Sequence, residues 1–291
     1  MHFMQTTGIC LFDDMRGNDP MKNINEKKIG MVGFGHLGSS IAEALLNGGF
    51  SKSNLMISYR GSRATMDRVS GMKLESCVKD PKYLMKYSDI VILAARPQNI
   101  KEIAQNYVRK DTLIISFMAA LPLSALSSFF DCSISRAMCS GPETISGGRG
   151  ICVLHHGTDA ARKLVSLCGM REMQIRTEDE VDAFTAGICI PPILMNINVD
   201  ERERISTLKK MALRWSVYRE LSGWIKAELA SSASQNDKKS LENISTKGGV
   251  SEAMLSALRG GASFLSSVER GVKRCAELRS ELCKNLAVEA A

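Results

Sequence analysis

The sequence predicts an α/β fold, a parallel-sheet domain followed by an all-helical C-terminal domain. Three observations carry this expectation. A glycine-punctuated hexamer, Gly33 to Gly38, stands directly between the strand-like KKIGMV and a helical pattern. Two short apolar runs, Ile90 to Ala94 and Leu113 to Phe117, suit central strands buried on both faces. Beyond about residue 170 the strand signal ends and apolar residues recur at helical intervals. Strands alternating with helices at this spacing imply right-handed crossovers and a parallel sheet.

In chain order, residues 1–26 have no period and include Asp13-Asp14 and Gly17-Asn18-Asp19-Pro20, so a flexible extension is expected there. Residues 27–170 form the expected sheet domain. Lys28 to Val32 reads as the first strand, and a helix should run from Gly35 to Asn47, closed by Gly48-Gly49. Asn54 to Tyr59 reads as the second strand. Residues 171–291 form the expected helical domain. Leu208, Met211, Trp215, Tyr218, Ile225 and Leu229 make one stripe, and Leu265, Val268, Val272, Cys275, Leu278, Leu282 and Leu286 another. The Ser/Asn-rich stretch Ser231 to Asp237 reads as a loop between them.

Composition narrows the class. Of the 291 residues, 44% are hydrophobic and 24% charged, the balance of a soluble globular chain with two cores. The longest apolar run, Ile90 to Ala95, falls far short of the roughly 18–20 residues that span a bilayer. Met1 to Lys27 lacks a cationic segment followed by an apolar one, so a cytoplasmic protein without a membrane partner is expected. Nine scattered cysteines, none spaced Cys-x-x-Cys, argue against a disulfide framework or zinc site. The His155-His156 doublet should point to opposite sides of a strand, so no metal is expected there. The net charge of +7 is small for the length, and no basic segment interleaved with aromatics stands out, so nucleic acid is not an expected partner.

The hexamer Gly33-Phe34-Gly35-His36-Leu37-Gly38 matches G-x-G-x-x-G between strand and helix, the fingerprint of a Rossmann dinucleotide-binding domain. Gly33 permits the tight turn, Gly35 lets backbone N–H groups approach a pyrophosphate, and Gly38 lets helix and strand pack closely. Cofactor choice is read at the end of the second strand. No Asp or Glu stands there to grip a ribose 2′-hydroxyl; Ser58-Tyr59-Arg60-Gly61-Ser62-Arg63 offers two guanidiniums and two hydroxyls instead. Such a set suits the 2′-phosphate of NADP(H), with Ser58, Arg60 and Arg63 as its contacts. The alternative is that both arginines are ordinary solvated residues.

Further segments, in order from about Lys28 to Leu282, resemble the pyrroline-5-carboxylate reductase family. SDIVILAARPQNI resembles the family's stretch ending in Lys-Pro, which brings Ala94, Arg96 and Pro97 to the cofactor. ISRAMCSGPETISGG stands where the family has Arg-x-Met-Pro-Asn-Thr-Pro, placing Met138 and Ser140 near the nicotinamide. EVDAFTAG resembles its Leu-Asp-Ala-Val-Thr segment, and STKGGVSEAMLSAL its Ser-Pro-Gly-Gly-Thr-Thr turn and helix. The resemblance implies NADPH-dependent reduction of a carbon–nitrogen double bond in a proline-like cyclic imino acid, as in proline biosynthesis. It makes Thr246, Gly248, Gly249, Val250 and Ser251 the substrate cradle, with Thr246 and Ser251 catalytic and the Ser251 hydroxyl at the imine nitrogen. It also implies a homodimer or larger homo-oligomer through the helical domain.

The substrate side departs from the pattern. Met138-Cys139-Ser140-Gly141-Pro142 lacks the family's amide, and Cys189 to Leu194 places bulky apolar residues where the family has Gly-Ser-Gly-Pro-Ala-Tyr. Lys247 and Val250 replace a proline and a threonine, and Asp200 to Arg204 is a charge run where the family is apolar; such a run is usually a solvated face, and here it suggests altered helix packing or a different partner surface. Two other readings therefore stand beside the first. One is an NADP-dependent oxidoreductase with a more apolar substrate. The other is a non-catalytic dinucleotide-binding or assembly protein, its pocket filled by Ile190, Ile193 and Leu194.

Overall fold

The computed structural model describes residues 24–233 and 247–288, so most of the expected flexible extension lies outside the described residues. The N-terminal half alternates β1 (Ile29–Val32), α1 (His36–Asn47), β2 (Leu55–Ser58), α2 (Arg63–Gly71), α3 (Pro81–Tyr87), β3 (Ile90–Leu93), α4 (Ile100–Ala104), β4 (Leu113–Ser116) and α5 (Leu123–Phe129). It continues through β5 (Ser133–Cys139), α6 (Pro142–Ser146), β6 (Ile151–His155), α7 (Asp159–Leu167) and β7 (Arg171–Met173). Then come α8 (Asp179–Ile188), α9 (Ile190–Leu194), α10 (Glu201–Arg214), α11 (Tyr218–Ala233), α12 (Val250–Arg259) and α13 (Phe264–Val288). This is the expected Rossmann-type sheet domain with a helical C-terminal region.

The strands form one sheet in the order β2-β1-β3-β4-β5-β6-β7, parallel from β2 to β5. β6 runs antiparallel to β5, and β7 parallel to β6. Period-two alternation divides each central strand between two cores. Ile90 and Ile92 of β3 join the core beneath α1 and α7, while Val91 and Leu93 join the opposite one with Leu84, Ile100 and Leu126. All four β3 side chains are fully buried, each contributing about 1.5–3 kcal/mol. The all-apolar runs read from the sequence are these doubly covered strands.

A third core joins the two halves: Met138, Ile151, Val153 and Met173 from β5–β7 pack with Val181, Phe184, Tyr218, Leu221, Met254 and Phe264 of the helices. Gly187 allows α8 to cross α11 closely, since a Cβ there would lie 2.1 Å from Leu221 Cδ2. Charge also crosses the junction. Arg136 on β5, only 1% exposed, donates from Nη1 to Glu178 at 2.8 Å and lies 3.8 Å from Asp182. Arg279 of α13 reaches Asp179 at 3.1 Å and Asp182 at 3.3 Å.

Several expectations are corrected. β5, β6 and β7 extend the sheet beyond the four strands read from the sequence, and β7 falls just past residue 170. Ser231 to Ala233 continue α11 rather than opening a loop; residues 234–237 of that stretch lie outside the described residues. The charge run is not merely a solvated face. Asp200 caps α10 by accepting the Arg202 and Glu203 N–H groups, and Glu203 accepts the Phe264 N–H at the start of α13. The histidines do not diverge, because His156 has φ +53° and turns its ring to 4.8 Å from that of His155. Among the described residues there is no metal-binding cluster, and no helix is long and apolar enough to cross a membrane.

Candidate active site

The chain leaves β1 for β2 on one side and later returns to β3 on the other. The carboxyl ends of β1 and β3 therefore flank a crevice, the position where open α/β sheets bind ligands. Gly33 turns the chain there with φ +97°, and its N–H donates to the Ser58 carbonyl at 2.8 Å. A Cβ on Gly33 would strike the Ala94–Ala95 backbone at 2.6 Å, and one on Gly38 would lie 2.2 Å from the Gly33 oxygen. A Cβ on Gly35 meets nothing within 4 Å. Packing therefore demands two of the glycines, while the third borders open space at the N-cap of α1, where no side chain caps the helix. A helix N-terminus bare of side chains and open at its first residue fits a dinucleotide's pyrophosphate.

The other residues assigned to this half are arranged unequally. Phe34 is buried in the core and Leu37 packs against it, which leaves chiefly their main chain to a ligand. Ser58 is buried at the end of β2, and Arg60 is ion-paired with Glu102. Ser62 uses its hydroxyl to cap α2. Arg63 begins α2 exposed, and Arg96 and Pro97 open the turn after β3 beside Ala94. Arg68 was missed: it lies five residues beyond Arg63 on α2, and its Nη2 is 2.8 Å from His36 Nε2 in the glycine turn. Together these residues make the rim of the crevice basic.

Met138 packs into the core shared with the helices. Ser140 is 1% exposed; its hydroxyl accepts the Ile151 N–H at 3.1 Å and pairs with Thr144 at 2.6 Å, so it is already engaged. Cys139 is buried, and loss of solvent pushes its thiol up to about 12, which makes it unreactive near neutrality.

The second group of candidates lies at the start of α12. Gly248 adopts φ +74° and Gly249 caps the helix, so Ser251 sits inside its first turn rather than at the cap. The Gly248 N–H donates to the Glu252 carboxylate, and its carbonyl accepts from Arg274 Nε at 2.9 Å. A groove of about 350 Å³ opens here, lined by Gly248, Gly249, Glu252, Ser256, Arg270 and Arg274. Val250 is half-buried against the helical core. Ser251 lies near Cys189, just after α8; burial raises that thiol's pKa, and Ser251 opposes the rise. Thr246 lies outside the described residues. Ile190 and Ile193 are fully buried, and Leu194 packs beside them, so these residues are core rather than pocket wall. No hydrogen bond or ion pair among the described residues joins this group to the glycine turn.

Comparison with known proteins agrees with this division. The family model described as "NADP oxidoreductase coenzyme F420-dependent" matches residues 28–120, the stretch holding the glycine turn and β1 to β4. Pyrroline-5-carboxylate reductase 2 of Bacillus subtilis (strain 168) is 24% identical over 274 residues, covering 88% of this chain and 96% of that protein. The Streptococcus pyogenes 1-pyrroline-5-carboxylate reductase superposes with a TM-score of 0.56 at 19% identity, covering 88% of this chain and 99% of that one. The Plasmodium falciparum pyrroline carboxylate reductase, solved with NADP bound, gives 0.53 at 18%, covering 89% and 99%. In sequence along most of its length, and in fold, the chain is similar to the pyrroline-5-carboxylate reductases.

Proposed function

We propose that the protein is an NADPH-dependent reductase of a carbon–nitrogen double bond in a cyclic imino acid, working as a homodimer or larger homo-oligomer through its helical region. The observation that carries this reading is the crevice at Gly33–Gly38, open at Gly35 and rimmed by Arg63, Arg68 and Arg96. NADPH, when bound, would supply the hydride. The N–H groups at the start of α1 would hold its pyrophosphate, and Arg63 and Arg68 would hold the 2′-phosphate by charge-assisted hydrogen bonds.

An imine nitrogen is readily protonated and its iminium carbon already attracts hydride, so the protein's main task is orientation. The Ser251 hydroxyl would fix the nitrogen on leaving Cys189, and the substrate carboxylate would sit at the Gly248–Gly249 turn, beside Arg270 and Arg274, which are already ion-paired with Glu277 and Glu281. Glu252 bears on this directly. Its carboxylate holds the Gly248 N–H that an anionic substrate needs, so a carboxylate-bearing substrate must displace it. The same observation favours, as a second reading, an imine without a carboxylate at that point.

Steady-state kinetics of two variants test the assignment. With pyrroline-5-carboxylate, Ser251→Ala should lower kcat at least tenfold, while Glu252→Gln should lower KM by relieving repulsion. Unchanged kcat in Ser251→Ala contradicts the catalytic role. A KM that rises in Glu252→Gln contradicts the carboxylate cradle and supports the second reading.

A further inference from the structure

A second basic groove lies at the opposite end of the sheet. Its cavity, about 510 Å³, is lined by Lys28 before β1, by Lys52 and the first residues of β2, and by Lys79, Tyr83 and Tyr87. The dinucleotide crevice opens at the carboxyl ends of these strands, so the two sites do not share residues. Tyr83 and Tyr87 are one turn apart on α3, their ring centroids 4.5 Å apart and tilted by 44°. They remain 49% and 40% exposed, and the Lys86 ammonium lies 5.1 Å from the Tyr87 ring centre.

The lysines here are held without being neutralised. Lys52 donates to the Lys73 carbonyl, and Lys79 to the Ser76 carbonyl at 3.0 Å, partners that fix the ammonium groups without cancelling them. Among the described residues, no carboxylate forms an ion pair with Lys28, Lys52, Lys79, Lys82 or Lys86. The nearby acids are engaged elsewhere. Asp80 caps α3, and Asp89 holds Arg109 and the Lys28 backbone N–H. Glu75 accepts from Ser70, and Lys52 acts on its carboxyl only as the weakest of several influences. The segment Lys79 to Tyr87 does interleave basic and aromatic residues, contrary to the sequence reading, and the fold adds Lys28 and Lys52 to it.

We propose that this groove is a second nucleotide site, stacking a base on Tyr83 and Tyr87 and holding phosphate with Lys28, Lys52 and Lys79. Half-exposed tyrosine rings beside ammonium groups that no carboxylate neutralises match a ligand with a planar base and a phosphate, the combination used by single-strand binding surfaces. Free mononucleotides and single-stranded nucleic acid share that chemistry, and size dependence separates them.

Uridine triphosphate and an octamer of uridylate are titrated into the full chain, with and without saturating NADPH, beside inorganic triphosphate. One uridine triphosphate should bind per chain whether or not NADPH is present, and weaken as salt rises. The exposed double variant Lys52→Glu/Lys79→Glu should lose at least tenfold in affinity and Tyr83→Ala/Tyr87→Ala severalfold, each keeping the wild-type melting temperature. Tighter binding of the octamer identifies a strand as ligand, and equal binding a free nucleotide. Failure of both probes to saturate overturns the proposal, as does unchanged affinity in both variants or equally tight inorganic triphosphate. Because the readout stands without NADPH, it fails or succeeds independently of the reductase reading.

Discussion

At the scale of single residues, the three glycines of the turn have separable tasks. Gly38→Ala drives a Cβ into the Gly33 carbonyl, a backbone obstacle that cannot swing aside, and should cost about 2 kcal/mol or more in a melt. Gly35→Ala meets no atom, so the melting temperature should hardly move while NADPH affinity drops roughly tenfold or more through a blocked approach. Equal destabilisation by the two changes contradicts the division. Arg68→Ala should weaken NADPH roughly tenfold and leave NADH unchanged, the loss of one charge-assisted contact to the 2′-phosphate, measurable by calorimetry with both nucleotides. Equal weakening of both would remove Arg68 from that contact. The turn was legible from the sequence because its glycines lie within one hexamer and their context is local. Arg68 was not, since its tie to His36 spans 32 positions, and neither was the capture of the Gly248 N–H by Glu252.

At the scale of elements, the junction between sheet and helices rests on buried charge. Arg136→Ala removes the buried guanidinium from Glu178 and leaves Asp182 to Arg279 alone, and should cost about 3–5 kcal/mol in urea unfolding. Asp182 gives this junction a pH signature. Burial raises its pKa, against the lowering pull of Arg279 and Arg136. Its folded-state pKa thus lies above the unfolded one, so its contribution is full at low pH and is lost as pH rises through the raised value. Asp182→Asn cannot ionise. Its stability relative to the parent should therefore improve on going from about pH 4 to pH 7, and a fall over that range contradicts the burial account. The central strands were legible because a short, wholly apolar run between turn residues fits a strand covered on both faces better than any half-exposed element. β5 was not: it carries Arg136 and alternating serines, whose burial depends on partners far along the chain.

At the scale of the whole molecule, the nucleotide half follows its motif closely, while the helical half departs from the pattern its segments resemble. Ile190 and Ile193 are core, Ser140 points inward, and the charge run holds Asp200 as the cap of α10 and Glu203 at the start of α13. The fold could be read because hydrophobic period and glycine spacing are properties of short segments. The proposed substrate cradle was read chiefly through resemblance, since a groove formed by α12 and α13 has no signature in either helix alone. The measurement that bears most directly on the central claim is NADPH consumption by the wild-type protein on addition of pyrroline-5-carboxylate, with NADPH binding followed in parallel. Oxidation of NADPH that saturates with the imine is the expected result. Tight NADPH binding with no oxidation would contradict the reductase assignment and leave the dinucleotide crevice without its proposed chemistry.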